Sequence, residues 1–164
     1  MIETFLPLAA RIAERLKARG ERIAVADGAT GGLLSASLLA IPGATKFYQG
    51  GGVVYSRRGR DVLFGLPDEE FTGMRSATAE YASLQARAIR DRFGAHWGIA
   101  ESGSAGGSVH PLGIASGLSC AAVVGPGIDV ARVTQTDSDD RLANMATFTR
   151  RALELLDEAL AERG

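Results

Sequence analysis

Between Pro42 and Arg60 the chain reads P-G-A-T-K-F-Y-Q-G-G-G-V-V-Y-S-R-R-G-R. This one stretch supplies a hydroxyl (Thr45), a phenol (Tyr55) and three guanidiniums (Arg57, Arg58 and Arg60). Guanidinium groups take carboxylates and phosphates through paired N–H donors, and a hydroxyl or phenol can attack a carbonyl or move a proton. The glycines at 50, 51 and 52 leave backbone too slight to obstruct a ligand. Such a segment suits a pocket for an anionic small molecule. A glycine-rich surface connection has the same composition, so other parts of the chain must discriminate.

Two more stretches of small residues follow apolar runs. Arg22 to Ala26 reads as a strand that ends in Asp27-Gly28-Ala29-Thr30-Gly31-Gly32, and a helical pattern resumes from Leu33 to Ala40. A strand, a glycine-rich turn and a helix start leave unpaired amides facing outward, which is an anion-binding arrangement, with Thr30 as the helix cap. The spacing is not G-x-G-x-x-G, and no Asp or Glu about 20 residues on closes a second strand, so a dinucleotide site is not indicated. The second stretch, Glu101 to Pro111, follows the apolar run Trp97–Ala100 and has the small side chains and free amides of a binding loop.

The elements that must position these groups are legible from periodicity. Residues 2–19 show an amphipathic helix closed by Gly20. Val53-Val54-Tyr55 reads as a short strand, followed by a helix from Ser56 to Phe64 and a helical turn over 68–71. Ser76 or Thr78 caps a helix over 77–93, with Tyr81, Leu84, Ala88 and Ile89 as its buried face. Residues 112–124 and 128–134 read as strands of a hairpin turning at Gly125-Pro126-Gly127, and a last helix runs from Asp139 to Leu160. This order predicts one domain over 1–164, a three-layer α/β/α fold with a mixed sheet and helices on both faces, the glycine-rich loops lying at the strand ends.

Composition narrows the partners. The chain has 164 residues, 46% hydrophobic and 23% charged, with a net charge of −1, which suits a globular protein and gives no basic stripe for nucleic acid. The lone Cys120 excludes an intrachain disulfide and fits a reducing compartment, and no apolar run reaches membrane-span length. The expectation is a cytoplasmic protein with no membrane or nucleic-acid partner. No His, Cys and carboxylate spacing suggests a metal, and no cofactor is expected. His96 reads as structural, and His110 as a loop residue.

Taken in order, the motifs resemble the CinA C-terminal domain family, the nicotinamide-nucleotide amidohydrolases. The family's A-E-S-C-T-G-G is matched by Ala26-Asp27-Gly28-Ala29-Thr30-Gly31-Gly32, and its P-G-S-S by Pro42-Gly43-Ala44-Thr45. Its G-G-V-V-x-Y-S-x-x-x-K looks like Gly51-Gly52-Val53-Val54-Tyr55-Ser56-Arg57-Arg58-Gly59-Arg60. Its S-G-I-A-G-P…K-P-V-G is echoed by Ser102-Gly103-Ser104-Ala105-Gly106 and His110-Pro111-Leu112-Gly113. The resemblance implies hydrolysis of the carboxamide of nicotinamide mononucleotide, and self-association into a homo-oligomer. Carried across, the serine of P-G-S-S becomes Thr45, the tyrosine Tyr55 and the lysine Arg60, the implied catalytic set.

Substrate contacts are expected at Asp27, Thr30, Gly31, Gly32, Gly51, Arg57, Ser102, Gly103, Ala105, Gly106 and His110. The departures bear on chemistry. A guanidinium stays protonated, so Arg60 can hold charge but is a poor general base. The Glu, Ser and Cys of A-E-S-C are Asp27, Gly28 and Ala29, and His110 replaces the loop's lysine. The arginine usual early in the last helix is expected to be missing, with Ala143 and Asn144 in its place. An amidase, an inactive nucleotide- or anion-binding homologue and an oligomeric interaction protein all fit this pattern.

Overall fold

The structure, a computed structural model, describes residues 1–163. A 3-10 turn at Ile2–Phe5 leads into α1 (Leu6–Arg19), which ends where Gly20 turns left-handed at φ 64°. Next come β1 (Ile23–Asp27), α2 (Leu33–Leu39) and β2 (Tyr48–Val53). Then follow α3 (Arg57–Phe64), capped by the Ser56 hydroxyl, a 3-10 turn at Asp68–Phe71, and α4 (Ala79–Phe93), capped by Thr78. The chain closes with β3 (Trp97–Gly103), the hairpin β4 (Leu118–Gly125) and β5 (Ile128–Gln135), and α5 (Arg141–Glu162), capped by Asp140.

The five strands form one sheet in the order β2-β1-β3-β4-β5. β1 runs parallel to β2 and β3, whereas β4 and β5 are antiparallel additions. The expected mixed sheet with helices on both faces is what the chain builds. Alternation along the strands sends Ile23, Val25, Trp97, Ile99, Ala121 and Val123 to a core shared with α1, α2 and α5. The opposite parity, Ala24, Ala26, Ala100, Cys120, Ala122 and Val124, faces α4 together with Phe64 and Phe71. Small residues on that second face draw α4 close: a Cβ on Gly98 would run into the carbonyl oxygen of Ala86.

Three expectations shift. The triple glycine is not a loop before a strand, since Gly50, Gly51 and Gly52 are themselves β2, paired with Ala24, Val25 and Ala26. A side chain on Gly51 would collide with the Val25 backbone, so strand packing accounts for that glycine. Helix α4 buries the expected Ala88 and Ile89, but Ala82, Gln85 and Ala86 join them, while Tyr81 and Leu84 are only partly buried. The first hairpin strand starts at Leu118 rather than Leu112, because residues 112–117 remain with the preceding loop. No helix among the described residues is long and apolar enough to cross a membrane.

The contact between α4 and β3 yields a stability prediction. Gly98→Ala forces the two elements apart and should lower the unfolding free energy by about 3 kcal/mol, the cost of overpacking a rigid interior. Gly73→Ala meets no neighbour and strains only the backbone at φ 77°, so it should cost about 1 kcal/mol. Urea unfolding of both variants measures the difference.

Candidate ligand-binding site

β1 ends at Asp27, and its fully buried carboxylate turns back onto α2. It accepts from the Thr30 hydroxyl (2.6 Å), the amides of Leu34 (2.9 Å) and Ser35 (3.2 Å), and the Ser35 hydroxyl (2.9 Å). The amides that seemed available to an anion are thus answered by the chain's own carboxylate, which also complements the positive end of the helix. Thr30 is not the cap: Gly32 holds that position at φ 100°, and Thr30 serves Asp27 instead.

Above this network lies a cavity of about 740 Å³ outside the carboxyl ends of β1 and β3. β1 is flanked by β2 on one side and β3 on the other, and such a divergence point opens a crevice for ligands. Gly28 and Ala29 edge the cavity from the β1 side, Arg60, Phe71 and Tyr81 from the α3–α4 side, and Gly103 to Gly106 from the loop after β3. Asp139 and Asn144 fix that loop. The Asp139 carboxylate accepts from the Gly107 amide (2.9 Å) and the Ser116 hydroxyl (2.8 Å). The Asn144 amide donates to the carbonyls of Ala105 (2.7 Å) and Ser138 (2.8 Å).

The charges around the cavity are unequal. Buried Arg60 donates to Asp61 (3.1 Å) and Asp68 (3.0 Å) and lies over the Phe71 ring at 3.9 Å. Arg57 donates to the same Asp68 (2.9 Å), so two carboxylates offset these two cations. Arg141 differs. As the first residue of α5 it donates to the Tyr55 hydroxyl (2.9 Å) and the Gly106 carbonyl (2.7 Å), both neutral oxygens, and it keeps its full charge at the cavity. An arginine therefore does stand at the start of the last helix, reaching the site from a position other than the expected 143–144.

Of the anticipated site residues, Tyr55, Arg57, Arg60, Ser102, Gly103, Ala105, Gly106 and His110 line this cavity. Asp27, Thr30, Gly31, Gly32 and Gly51 do not; the first four build the α2 turn beneath it, and Gly51 lies within β2. Thr45 is the clear displacement. It is exposed in a 3-10 turn before β2, whereas Tyr55 lies beyond the far end of that strand. Six extended residues span about 20 Å, too far for the two to share one pocket within a chain. Of the positions matched to the serines of A-E-S-C and P-G-S-S, Gly28 reaches the cavity but has no side chain to react. Among the described residues no cluster of His, Cys, Asp and Glu could hold a metal ion.

Glu101 was not anticipated among the site residues, since it opens a stretch whose composition reads as a binding loop rather than as the end of a strand. The residue instead ends up on β3, 1% exposed, its carboxyl accepting from the Ser119 hydroxyl (2.6 Å) and the Thr30 amide (3.0 Å). Gly28 and Gly103 make room for it: a Cβ on either would lie 3.1 Å or 2.8 Å from its oxygens. Burial pushes its pKa up to about 7, outweighing those two hydrogen bonds. The neutral carboxyl is the favoured form in the fold, so its contribution is fully present below pH ~4.5 and is lost as pH rises through about 7. Glu101→Gln should match the native protein at about pH 4 and exceed it by roughly 3 kcal/mol at about pH 8. Chemical denaturation at the two pH values checks both the size and the sign.

The comparisons with known proteins agree with this architecture. The model of the CinA C-terminal domain matches residues 6–160. A CinA-like protein of Myxococcus xanthus is 32% identical over 93% of this chain, and one of Chloroherpeton thalassium is 32% identical over 96%. The chain spans only 36% and 38% of those two proteins. Among solved structures, a CinA superfamily protein of Klebsiella pneumoniae superposes with a TM-score of 0.86 at 28% identity, covering 95% of this chain and 97% of that one. A CinA superfamily protein of Enterobacter cloacae gives 0.85 at 29% identity, covering 93% and 90%. By sequence and by fold, the chain belongs to the CinA C-terminal domain family.

Proposed function

We propose that this CinA domain binds an anion-bearing nucleotide in the cavity at the β1–β3 crevice and does not run the serine-type amide hydrolysis that the family resemblance implies. The observation that carries the reading is Arg141, a cavity guanidinium bonded, among the described residues, only to the Tyr55 hydroxyl and the Gly106 carbonyl. A phosphate or carboxylate arriving there gains a charge-assisted pair without displacing a carboxylate from the arginine. The Tyr55 hydroxyl, which accepts from Arg141, is left free to donate to the same anion. A cavity of about 740 Å³ is within the range of nucleotide-sized ligands.

Against acyl transfer stand two geometric facts. Thr45, the position matched to the implied nucleophile, is a strand length from the cavity, and Gly28, which stands at the serine of A-E-S-C, has no hydroxyl to offer there. Arg60, committed to Asp61 and Asp68, has no means of accepting a proton.

Nicotinamide mononucleotide at 100 times its Kd should stabilise the protein by about 3 kcal/mol, read as a rise in Tm. Arg141→Ala should weaken this ligand at least 10-fold, the lower end for losing a charged hydrogen bond, whereas Thr45→Ala should leave binding unchanged. Ammonia release should stay at background. Turnover abolished by Thr45→Ala would overturn the reading, as would equal nucleotide affinity of the native and Arg141→Ala proteins.

A further inference from the structure

Gln85 projects from the second turn of α4 into the cavity wall and is 3% exposed. A primary amide so deeply placed normally spends both its donor and its acceptor within the protein, because an unmet buried amide costs free energy. Among the described residues Gln85 makes no such bond, and neither amide atom is sealed away, so what surface it keeps opens on the cavity. Ser104, 5% exposed, and Ser102, 9% exposed, line the same cavity. The Ser102 hydroxyl accepts from the Ala77 amide (3.1 Å) and retains its own proton to donate. Small neighbours, Ala82 and Ala86 on α4 and Ala100 on β3, hold Gln85 and Ser102 in rigid elements, and Ser104 follows directly after β3.

We infer that Gln85 is a specificity-determining residue of this pocket, its amide pairing in two-pronged fashion with a planar ligand group that carries a hydrogen-bond donor beside an acceptor. The inference rests on the pocket assigned in the preceding subsection and adds which end of the ligand is read there. The anion stays at Arg141, and the planar group lies over the floor formed by Gln85, Ser102 and Ser104. Two sources present such an edge, a primary carboxamide and the amino edge of adenine, which glutamine pairs with through both amide atoms. A carboxylate in place of the carboxamide offers acceptors only and leaves the Gln85 donor–acceptor pair half used.

The test compares nicotinamide mononucleotide, nicotinate mononucleotide and adenosine monophosphate by calorimetry on the native protein, Gln85→Met and Arg141→Ala. Benzamide and benzoate serve as phosphate-free probes, followed through the side-chain NH₂ resonances of Gln85. The native protein should prefer the carboxamide nucleotide, the adenine nucleotide or both over the nicotinate nucleotide by about 10-fold, which one identifying the source. Gln85→Met removes no protein hydrogen bond and should fold; it should erase that preference by weakening the favoured nucleotide more than the nicotinate nucleotide, which loses one bond rather than two. Arg141→Ala should weaken all three nucleotides alike and preserve the ratio. Benzamide, and not benzoate, should move the Gln85 resonances. Nucleotides that bind with no preference, or a preference intact in Gln85→Met, overturn the role of Gln85 while the anion site stands. Benzamide shifting Gln85 while no nucleotide binds overturns the anion site alone, and silence from every probe overturns both.

Discussion

The site depends on a buried anion, the carboxylate of Asp27, held by four donors at the start of α2. An ionised carboxylate deprived of water is costly unless its lone pairs are met, and here hydroxyls, amides and the helix dipole meet them together. The same network ties three elements. Ser35 receives the Tyr48 hydroxyl of β2 (2.8 Å), and Thr30, held by Asp27, turns its amide toward Glu101 of β3. Asp27 is thus the junction at which β1, α2, β2 and β3 are fixed relative to one another. Without it the Gly28–Ala29 edge of the cavity would have no defined position.

Above that junction, electrostatics separates structural charge from available charge. Asp61 and Asp68 engage Arg60 and Arg57, so those guanidiniums stiffen the α3 side of the cavity; Arg60 also covers Phe71. Such partly exposed pairs contribute modestly to stability, and their role here is to leave one cation, Arg141, as the anion-seeking group. Asp139, two residues before Arg141, makes no ion pair with it; one of its oxygens accepts instead from Gly107 and Ser116. The loop that Asp139 and Asn144 fix is therefore the same loop whose Gly106 carbonyl orients Arg141.

Small residues set the distances. Ala24, Ala26 and Ala100 on the sheet and Ala82 and Ala86 on α4 bring that helix in close, which places Gln85 at the cavity instead of beneath a layer of larger side chains. Glycine at 28 and 103 admits the Glu101 carboxyl between β1 and β3. Interiors this tightly packed respond to single methyl groups, so these positions act through shape even where they carry no chemistry.

The sequence by itself determined the elements, the fold class and the family. Apolar periodicity marked α1, α4 and α5, a helix start at Ser56 marked α3, Ser76 or Thr78 announced the cap of α4, and Gly125-Pro126-Gly127 announced the hairpin, because each of these signals is local in the chain. It also named eight of the residues that line the cavity, since glycine-rich connections after strands collect at one edge of such a sheet. Only the tertiary structure decided which of them meet. Thr45 and Tyr55 are near in sequence but lie at opposite ends of β2, while Tyr55 and Arg141 are far apart in sequence and share a hydrogen bond. Glu101, Gln85 and Arg141 had no motif to reveal them. Their roles come from burial, from the absence of a partner and from a charge left uncompensated, and those properties exist only once strands and helices remote in the chain have been packed together.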